Sequence, residues 1–225
     1  MSEEILDKFT PCVSSQMLHA LAFAWERLFN EIPSKESLCI LLSQWAHETG
    51  RGKYCHNWNV GNYKHVEGDG RDYSYFICNE VIKGKEVWYH PNVESERPYC
   101  CFRAYKTIEA GVVDYMASLN KRFKKAWPAV LAGDPADFAH QLKLQGYYTS
   151  SEDDYIDKDT GDTVHGYRWS ICSLFREFSK LEFDPEHEHN LNDNEKANVL
   201  ALVAITSREI TDPDFESDPE LNNIA

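Results

Sequence analysis

The residue in this chain best suited to acid–base chemistry is Glu48, which lies in the last turn of a predicted helix. Ser34, directly after Pro33, is a typical N-cap, and Gly50 is placed to end the helix in a left-handed conformation. Partial burial and the negative C-terminal end of the helix are both expected to raise the pKa of Glu48. A carboxyl group of this kind holds a proton near neutral pH and can act as a general acid. The alternative is a solvated glutamate at a fraying helix end.

The helix that carries Glu48 is predicted from apolar residues at three- and four-residue spacing: Leu38, Leu41, Leu42, Trp45 and Ala46. A second amphipathic helix is predicted over residues 14 to 32, a third after Thr107, a fourth after Asp134-Pro135, and a fifth from Tyr167 to Leu181. Residues 65 to 101 lack helical periodicity and contain Gly68, Gly70 and Gly84. They predict two or three antiparallel strands, with Tyr73 to Ile82 and Glu86 to His90 joined by a hairpin at Lys83-Gly84-Lys85. The chain is therefore predicted to be α+β.

The charge is distributed unevenly along the 225 residues. The net charge is −14, and residues 182 to 225 hold 12 Asp and Glu against 2 Lys and Arg, which leaves −4 for residues 1 to 181. Because nucleic-acid binding requires basic stripes and none is present, we do not expect a nucleic-acid partner. We predict one domain over residues 1 to 181, then an acidic linker and a short apolar helix at residues 196 to 206.

The seven cysteines have no regular spacing, and the chain begins without an apolar leader. A disulfide framework is therefore not expected. No apolar run approaches the ~20 residues of a membrane span. The adjacent pairs Cys55-His56 and Cys100-Cys101 are poor geometry for two ligands of one zinc ion, so neither a metal nor another cofactor is expected. The protein is expected to be made in the cytoplasm.

Four segments of the chain resemble, in the same order, those of glycoside hydrolase family 73, the lysozyme-like glucosaminidases that cut bacterial peptidoglycan. The first is the helix with Gln44 and Glu48-Thr49-Gly50, and the second is Asn57-Trp58-Asn59-Val60-Gly61-Asn62-Tyr63-Lys64. The third is Phe102-Arg103-Ala104-Tyr105 followed by Thr107 and Asp114-Tyr115, and the fourth runs from Gly146-Tyr147 to Tyr155. The resemblance covers roughly residues 15 to 158 and implies a helical body with a small β-lobe, at about residues 65 to 101, beside a substrate groove.

The resemblance also implies roles for individual residues. Glu48 matches the catalytic acid, and Glu80 matches the second carboxylate, although Cys78-Asn79-Glu80 has Cys where the family has Thr. Tyr155 matches a tyrosine whose hydroxyl points at the reaction centre, although the loop before it is two residues longer than in the family. Arg103 is expected either to orient a carboxylate or to form a structural salt bridge.

Substrate binding is expected from amides and aromatic rings near the acid: Asn57, Trp58, Asn59, Tyr63, Tyr147 and Tyr148. Amide hydrogen bonds and ring stacking suit an N-acetylated sugar. The alternative for Asn57 and Asn59 is that they hydrogen bond to the backbone of their own loop.

The resemblance implies cleavage of a β-1,4 bond after N-acetylglucosamine in peptidoglycan, by a monomer acting in the periplasm or cell wall. Without a leader, delivery by a phage or a secretion machine is expected, and an inhibitor protein is a conceivable partner. Three alternatives stay open. A lytic transglycosylase requires only Glu48, a chitinase is suggested because His47-Glu48-Thr49-Gly50 is similar to family 19 chitinases, and a non-catalytic glycan-binding protein would keep the fold alone.

Overall fold

The structure is a computed structural model that describes residues 2–82, 85–148, 150–158, 160–183, 189 and 191–211. The side chains of residues 80–82, 85, 209 and 211 are not part of this description. The described helices are α1 (Ser14–Phe29), α2 (Lys35–Glu48), α3 (Ile108–Arg122), α4 (Trp127–Ala132), α5 (Pro135–Leu144), α6 (Tyr167–Phe178) and α7 (Asp193–Thr211). The strands are β1 (Tyr73–Tyr75), β2 (Cys78–Ile82), β3 (Lys85–Tyr89), β4 (Cys101–Arg103), β5 (Tyr155–Ile156) and β6 (Thr163–Val164). The predicted α+β class is confirmed.

The centre of the helical body is α2, which packs against α1, α4 and α6. All ten residues from Ser37 to Ala46 are buried, so this helix is enclosed on every side rather than along one stripe. The Ser37, Ser43 and Gln44 side chains within it are hydrogen bonded inside the protein; Ser43, for example, donates to the carbonyl of Cys39 at 2.6 Å. The first turn of α2, with Lys35 and Glu36, and the last turn, with His47 and Glu48, reach solvent.

The predicted helix starts are confirmed. The Ser34 hydroxyl accepts from the Ser37 amide at 3.0 Å, Thr107 caps α3 through the Ala110 amide at 3.2 Å, and Asp134 caps α5. Each cap satisfies an amide that has no partner within its helix. A short 3₁₀ turn at Arg97–Cys100 and helix α4 were not predicted. In α4 the second residue is Pro128, which obscures a helix of only six residues.

The predicted long strand from Tyr73 to Ile82 is wrong: the chain forms two strands that belong to different sheets. β1 pairs antiparallel with β4, with Ser74 opposite Phe102, whereas β2 pairs antiparallel with β3, with Asn79 opposite Trp88. The break falls at Phe76, whose ring stacks on Phe102 at 4.1 Å. The predicted hairpin at Lys83-Gly84-Lys85 lies largely outside the described residues.

A buried ionic cluster joins the β1–β4 ladder to α3. The Asp114 carboxylate, fully buried, accepts from Arg71 Nε at 2.6 Å, from Arg103 Nη1 at 2.8 Å and from the Tyr105 hydroxyl. The two guanidinium groups hold the pKa of Asp114 at about 2, against the opposing effect of burial. The residues Arg103, Tyr105 and Asp114 of the third family-like segment thus form a structural ion cluster. Of the two expectations for Arg103, the structural salt bridge is the one observed.

The C-terminal helix α7 is longer than predicted and packs mainly against α3. Val199 and Leu202 are buried in the same hydrophobic core as the other helices, and the Thr206 hydroxyl turns back to the Leu202 carbonyl at 2.9 Å. The sequence did not indicate whether this helix would bind the body or a partner; the structure places it on the body. Among the described residues, no helix has the length and apolarity that crossing a bilayer would demand.

Candidate active site

Glu48 is the last residue of α2, and the Thr-Gly-x-Gly sequence after it forms the helix end. The Thr49 hydroxyl donates to the Trp45 carbonyl at 2.7 Å and accepts from the Gly52 amide at 2.9 Å. Gly50 has φ +56°, a left-handed conformation that glycine adopts without strain. A Cβ on Gly52 would lie 2.6 Å from the Trp45 ring and 2.4 Å from a backbone oxygen. The motif therefore fixes the position of Glu48 through backbone geometry.

Two tyrosine hydroxyls hydrogen bond to the Glu48 carboxyl. Tyr167, the first residue of α6, donates to Oε1 at 3.1 Å, and Tyr147, after α5, supplies the second hydrogen bond. Desolvation raises the pKa of Glu48 to about 7, and these two hydrogen bonds oppose the rise because they stabilise the charged form. The raised pKa expected from the sequence is confirmed.

Glu48 combines this desolvation with exposure of the residue to solvent. The two observations are compatible because the exposure is that of the whole residue, whereas the desolvation acts on its carboxyl group. With a pKa of about 7, this carboxyl group holds its proton up to near-neutral pH, as a general acid requires.

A chain of polar side chains fixes the direction of the Tyr147 hydrogen bond. Gln44 lies one turn before Glu48 on α2; its amide Nε2 donates to the Tyr147 hydroxyl, and its Oε1 accepts from the Tyr115 hydroxyl. Tyr115 also lies 3.1 Å from the Leu41 carbonyl. Because the Tyr147 oxygen accepts from Gln44, its own proton is directed to Glu48. Burial, followed by the nearby Glu48 charge, raises the pKa of Tyr147 and Tyr167 well above the usual value, so both remain hydrogen-bond donors.

Tyr167 is held in place by two neighbouring rings. Tyr148 stacks on it with centroids 3.9 Å apart, and His47 meets it edge-on at 4.7 Å. Tyr148 is itself buried and donates to the Ala139 carbonyl at 3.1 Å. Burial lowers the pKa of His47, so this ring is mainly neutral at the pH where Glu48 titrates. The predicted substrate residue Tyr148 therefore supports Tyr167 from within the protein.

Three further residues predicted to bind substrate are committed to the protein interior. The Asn57 side-chain oxygen accepts from the Lys8 amide at 2.7 Å. The Asn59 side chain donates to the carbonyls of Tyr63 and Arg103 and accepts from the Tyr63 amide, each at 2.9 Å. Tyr63 is buried, and its hydroxyl lies 3.4 Å from the Tyr115 carbonyl. The polar atoms of these three residues bond the backbone of the loop and its neighbours, as the alternative for Asn57 and Asn59 expected, and their contact with a sugar stays a prediction.

Trp58 is held in the same loop with a positive φ of 53° and is half-buried against the core. Its carbonyl approaches α3 so closely that a Cβ on Gly111 would lie 1.9 Å from the oxygen. Glycine at this position lets the loop lie directly on the helix. The contact fixes the backbone that carries the indole.

The hydroxyl contact that the sequence predicted for Tyr155 is made by Tyr167. Tyr155 lies on β5 with its side chain half-exposed, at 49% of its full accessible area, whereas Tyr167 is 4% exposed and reaches Glu48. In the sequence, Tyr167 is recognisable only as the first residue of a predicted helix. The sequence feature that could have pointed to Tyr167 is the preceding Gly166. In the structure a Cβ at this glycine would lie 2.3 Å from the Glu152 carbonyl, so close backbone contact fixes the turn into α6.

Glu80 lies on β2 opposite Val87. Its side chain is outside the described part of the structure, so its predicted role as second carboxylate stays a prediction. Within the described residues, no group of three His, Cys, Asp or Glu side chains has the arrangement of a metal site.

A separate cavity of about 340 Å³ lies between α1 and the start of α7. Its lining includes His19, Phe23, Arg27, His189 and Lys196, and none of its lining residues belongs to the Glu48 cluster. The chemistry described above is therefore not associated with this cavity.

Comparison with known proteins gave one structural similarity. No profile of a known protein family matches the chain, and no curated protein matches it. A solved structure, described as a C-terminally truncated glycoside hydrolase domain from Salmonella typhimurium FlgJ, is similar to it with a TM-score of 0.44 and 18% sequence identity. That similarity covers 75% of this chain and 99% of the other.

Proposed function

We propose that this protein is a lysozyme-like glycoside hydrolase that cleaves the β-1,4 bond after N-acetylglucosamine in peptidoglycan. The observation that carries the proposal is the Glu48 site: a carboxyl with a pKa of about 7 on a solvent-exposed residue, hydrogen bonded by two tyrosine hydroxyls at the end of α2. The ordered resemblance of four segments to family 73 supplies the substrate class.

In the proposed reaction, neutral Glu48 donates its proton to the glycosidic oxygen as positive charge develops on the sugar ring. The carboxylate left behind accepts hydrogen bonds from Tyr147 and Tyr167, which favour this charged form. The same hydroxyls thus limit how far desolvation raises the pKa and stabilise the product of proton transfer.

The remaining roles follow the resemblance and the geometry together. Glu80 is proposed to activate water or to stabilise the developing charge, as the carboxylate separation in the substrate complex decides. Tyr167 takes the role that the resemblance gave to Tyr155, and Trp58 and Tyr147 are proposed to position sugars. No cofactor takes part. The site of action is proposed to be the cell wall.

The proposal is tested by mass spectrometry of purified peptidoglycan after digestion with the wild type, Glu48→Gln and the matched surface variant Glu177→Gln. The wild type and Glu177→Gln should release fragments with reducing-end N-acetylglucosamine, and Glu48→Gln should be about 10²- to 10⁴-fold slower, the usual contribution of a general acid. Anhydro-muramic ends would identify a lytic transglycosylase instead. Turnover of chitin oligomers with no action on peptidoglycan would identify a chitinase. If the wild type and Glu48→Gln release fragments equally, or neither releases any, the proposed catalysis is wrong.

A further inference from the structure

Two cysteine thiols meet at the base of the β2–β3 hairpin. Cys78 is the first residue of β2, and Cys100 is the last residue of the 3₁₀ turn before β4. The Cys78 side chain is close enough to influence the pKa of Cys100, and Cys78 Sγ lies 3.3 Å from the carbonyl of Tyr99, the residue directly before Cys100. The Phe76 amide donates to the Cys100 carbonyl at 3.3 Å, which keeps the two segments together just before β2 begins.

These thiols lie where the β-lobe is divided into two sheets. In the described structure β2 is hydrogen bonded to β3, while β1 and β4 form the other ladder. Contact between the hairpin and the ladder side is made by side chains, including the stacked rings of Tyr89 and Tyr99 at 4.6 Å. A covalent link between Cys78 and Cys100 would join the hairpin to the base of the ladder directly.

Within this pair, Cys78 has access to solvent and Cys100 is buried. Cys78 is half-exposed, whereas Cys12 and Cys55, which also lie near each other, are both buried, and desolvation raises their pKa values to about 12 and about 11. The Lys64 ammonium lies 3.7 Å from Cys78 Sγ, and a cation at this distance stabilises negative charge on sulfur. Cys78 is thus the member of the pair that an oxidant in solution can reach. Cys100 is buried, and desolvation, with the neighbouring Cys78, raises its pKa to about 11.

We propose that Cys78 and Cys100 form a disulfide in an oxidising environment, and that this bond clamps the β2–β3 hairpin to the base of the β-lobe. The oxidant is a small or protein disulfide, such as oxidised glutathione. The Cys78 thiolate attacks one sulfur of that disulfide, forming a mixed disulfide and releasing one thiol. The Cys100 thiolate then attacks Cys78 Sγ and releases the second thiol. Two protein thiols are oxidised, and one disulfide is reduced to two thiols.

Because Cys78 Sγ already lies beside the residue that precedes Cys100, the rearrangement that brings the two sulfur atoms to the disulfide bond length of about 2.05 Å is local. A compartment with reduced glutathione keeps the pair as thiols, whereas an extracytoplasmic compartment favours the bond. Glu80 lies two residues beyond Cys78 on β2, so the clamp would also restrict the strand that carries the proposed second carboxylate. This last consequence rests on the proposed function; the disulfide itself does not.

The test is peptide mapping of the intact protein after incubation with oxidised glutathione, followed by alkylation without reduction. The expected result is one cross-linked peptide pair containing Cys78 and Cys100, lighter than the two free peptides by two hydrogen atoms. The disulfide should raise the melting temperature by about 6 to 12 °C, the scale for a loop of this length in a protein of this size. Reduction with dithiothreitol should reverse the shift. Cys78→Ser should abolish both effects, and the control Cys172→Ser, in α6, should retain them.

Recovery of Cys78 and Cys100 as separately alkylated peptides would overturn the proposal, and so would pairing with other cysteines. A cross-link without any change in melting temperature would refute the clamp. Comparing oxidised and reduced wild type on peptidoglycan separates the two claims. If neither form has activity, the proposed function fails while the mapped disulfide stands; if both are active at the same kcat/KM, the effect on the Glu80 strand is refuted.

Discussion

Removing the Tyr167 hydroxyl gives the sharpest test of how the protein sets the acidity of Glu48. In the Tyr167→Phe variant, the carboxylate loses a donor at 3.1 Å, whereas the neutral carboxyl loses less. The pKa of Glu48 should therefore rise further above about 7. Since the general acid must be protonated, the alkaline limb of the kcat/KM profile should move to higher pH, even if the maximal rate falls.

The size of the shift follows from the geometry. A hydrogen bond to a charged group contributes about 1.5–3 kcal/mol, and one pKa unit corresponds to about 1.36 kcal/mol, so the upper range is about 1 to 2 units. The Tyr167 bond is longer than the ~2.5–2.7 Å of a strong hydroxyl–carboxylate bond. Glu48 is also exposed to solvent, so water can replace the lost donor, and the Tyr147 bond remains. We therefore expect a shift of about 0.5 to 1 unit.

The assay is the release of reducing ends from purified peptidoglycan across the pH range, with the Glu48 titration followed independently by carbon NMR of labelled glutamate. Tyr54→Phe is the control, because Tyr54 is 70% exposed and close to α2 in sequence. Its profile should match that of the wild type. The assignment of Tyr167 as a donor that lowers the pKa of Glu48 would be refuted by one result. In Tyr167→Phe, the alkaline limb of the kcat/KM profile would stay in place or move to lower pH, and the NMR titration of Glu48 would agree.

Other expectations concern stability. The folded-state pKa of Glu48 lies above its ordinary value of 4.5, so the native state binds the proton more tightly and loses stability as pH rises from about 4.5 to about 7; Glu48→Gln should therefore raise the melting temperature relative to the wild type at pH 8 but not at pH 4. Asp114→Asn removes the charge that two buried arginines require and should cost about 3–5 kcal/mol in urea unfolding. The control Glu177→Gln, which breaks an exposed pair, should cost at most about 1 kcal/mol; equal losses would contradict the difference in burial. Gly111→Ala should destabilise by about 1–3 kcal/mol because of the clash with the Trp58 carbonyl, whereas an unobstructed helix would gain about 1 kcal/mol.

The features that the sequence predicted correctly are local ones. These features are the position of Glu48 at the end of a buried helix, the three helix caps and the left-handed Gly50. Each of them depends on residues within a few positions of one another. The long strand was predicted wrongly because the strand-like residue pattern continues without a break through Phe76. In the structure the chain passes from one sheet to the other at this residue, whose ring stacks on the distant Phe102. Strand pairing across such separations leaves no local signal.

The choice of tyrosine was also beyond local reasoning. Tyr155 and Tyr167 both follow α5, and which one reaches Glu48 depends on the path of the β5–β6 hairpin and on the close contact at Gly166. For Asn57 and Asn59, the residue types fit a sugar site and a self-bonded loop equally well. The hydrogen bonds that they form follow from their burial, and burial depends on the tertiary fold.

The packing of α7 on α3 has a practical consequence for defining the folding unit. A gene fragment ending at Leu181 would encode all of the Glu48 cluster yet strip the apolar cover from α3, the helix that also carries Asp114. Bare surface of this kind drives self-association. Helix α7 lies in the acidic C-terminal part of the sequence, yet its residues Val199 and Leu202 complete the hydrophobic core. Any minimal version of the protein therefore has to retain this helix.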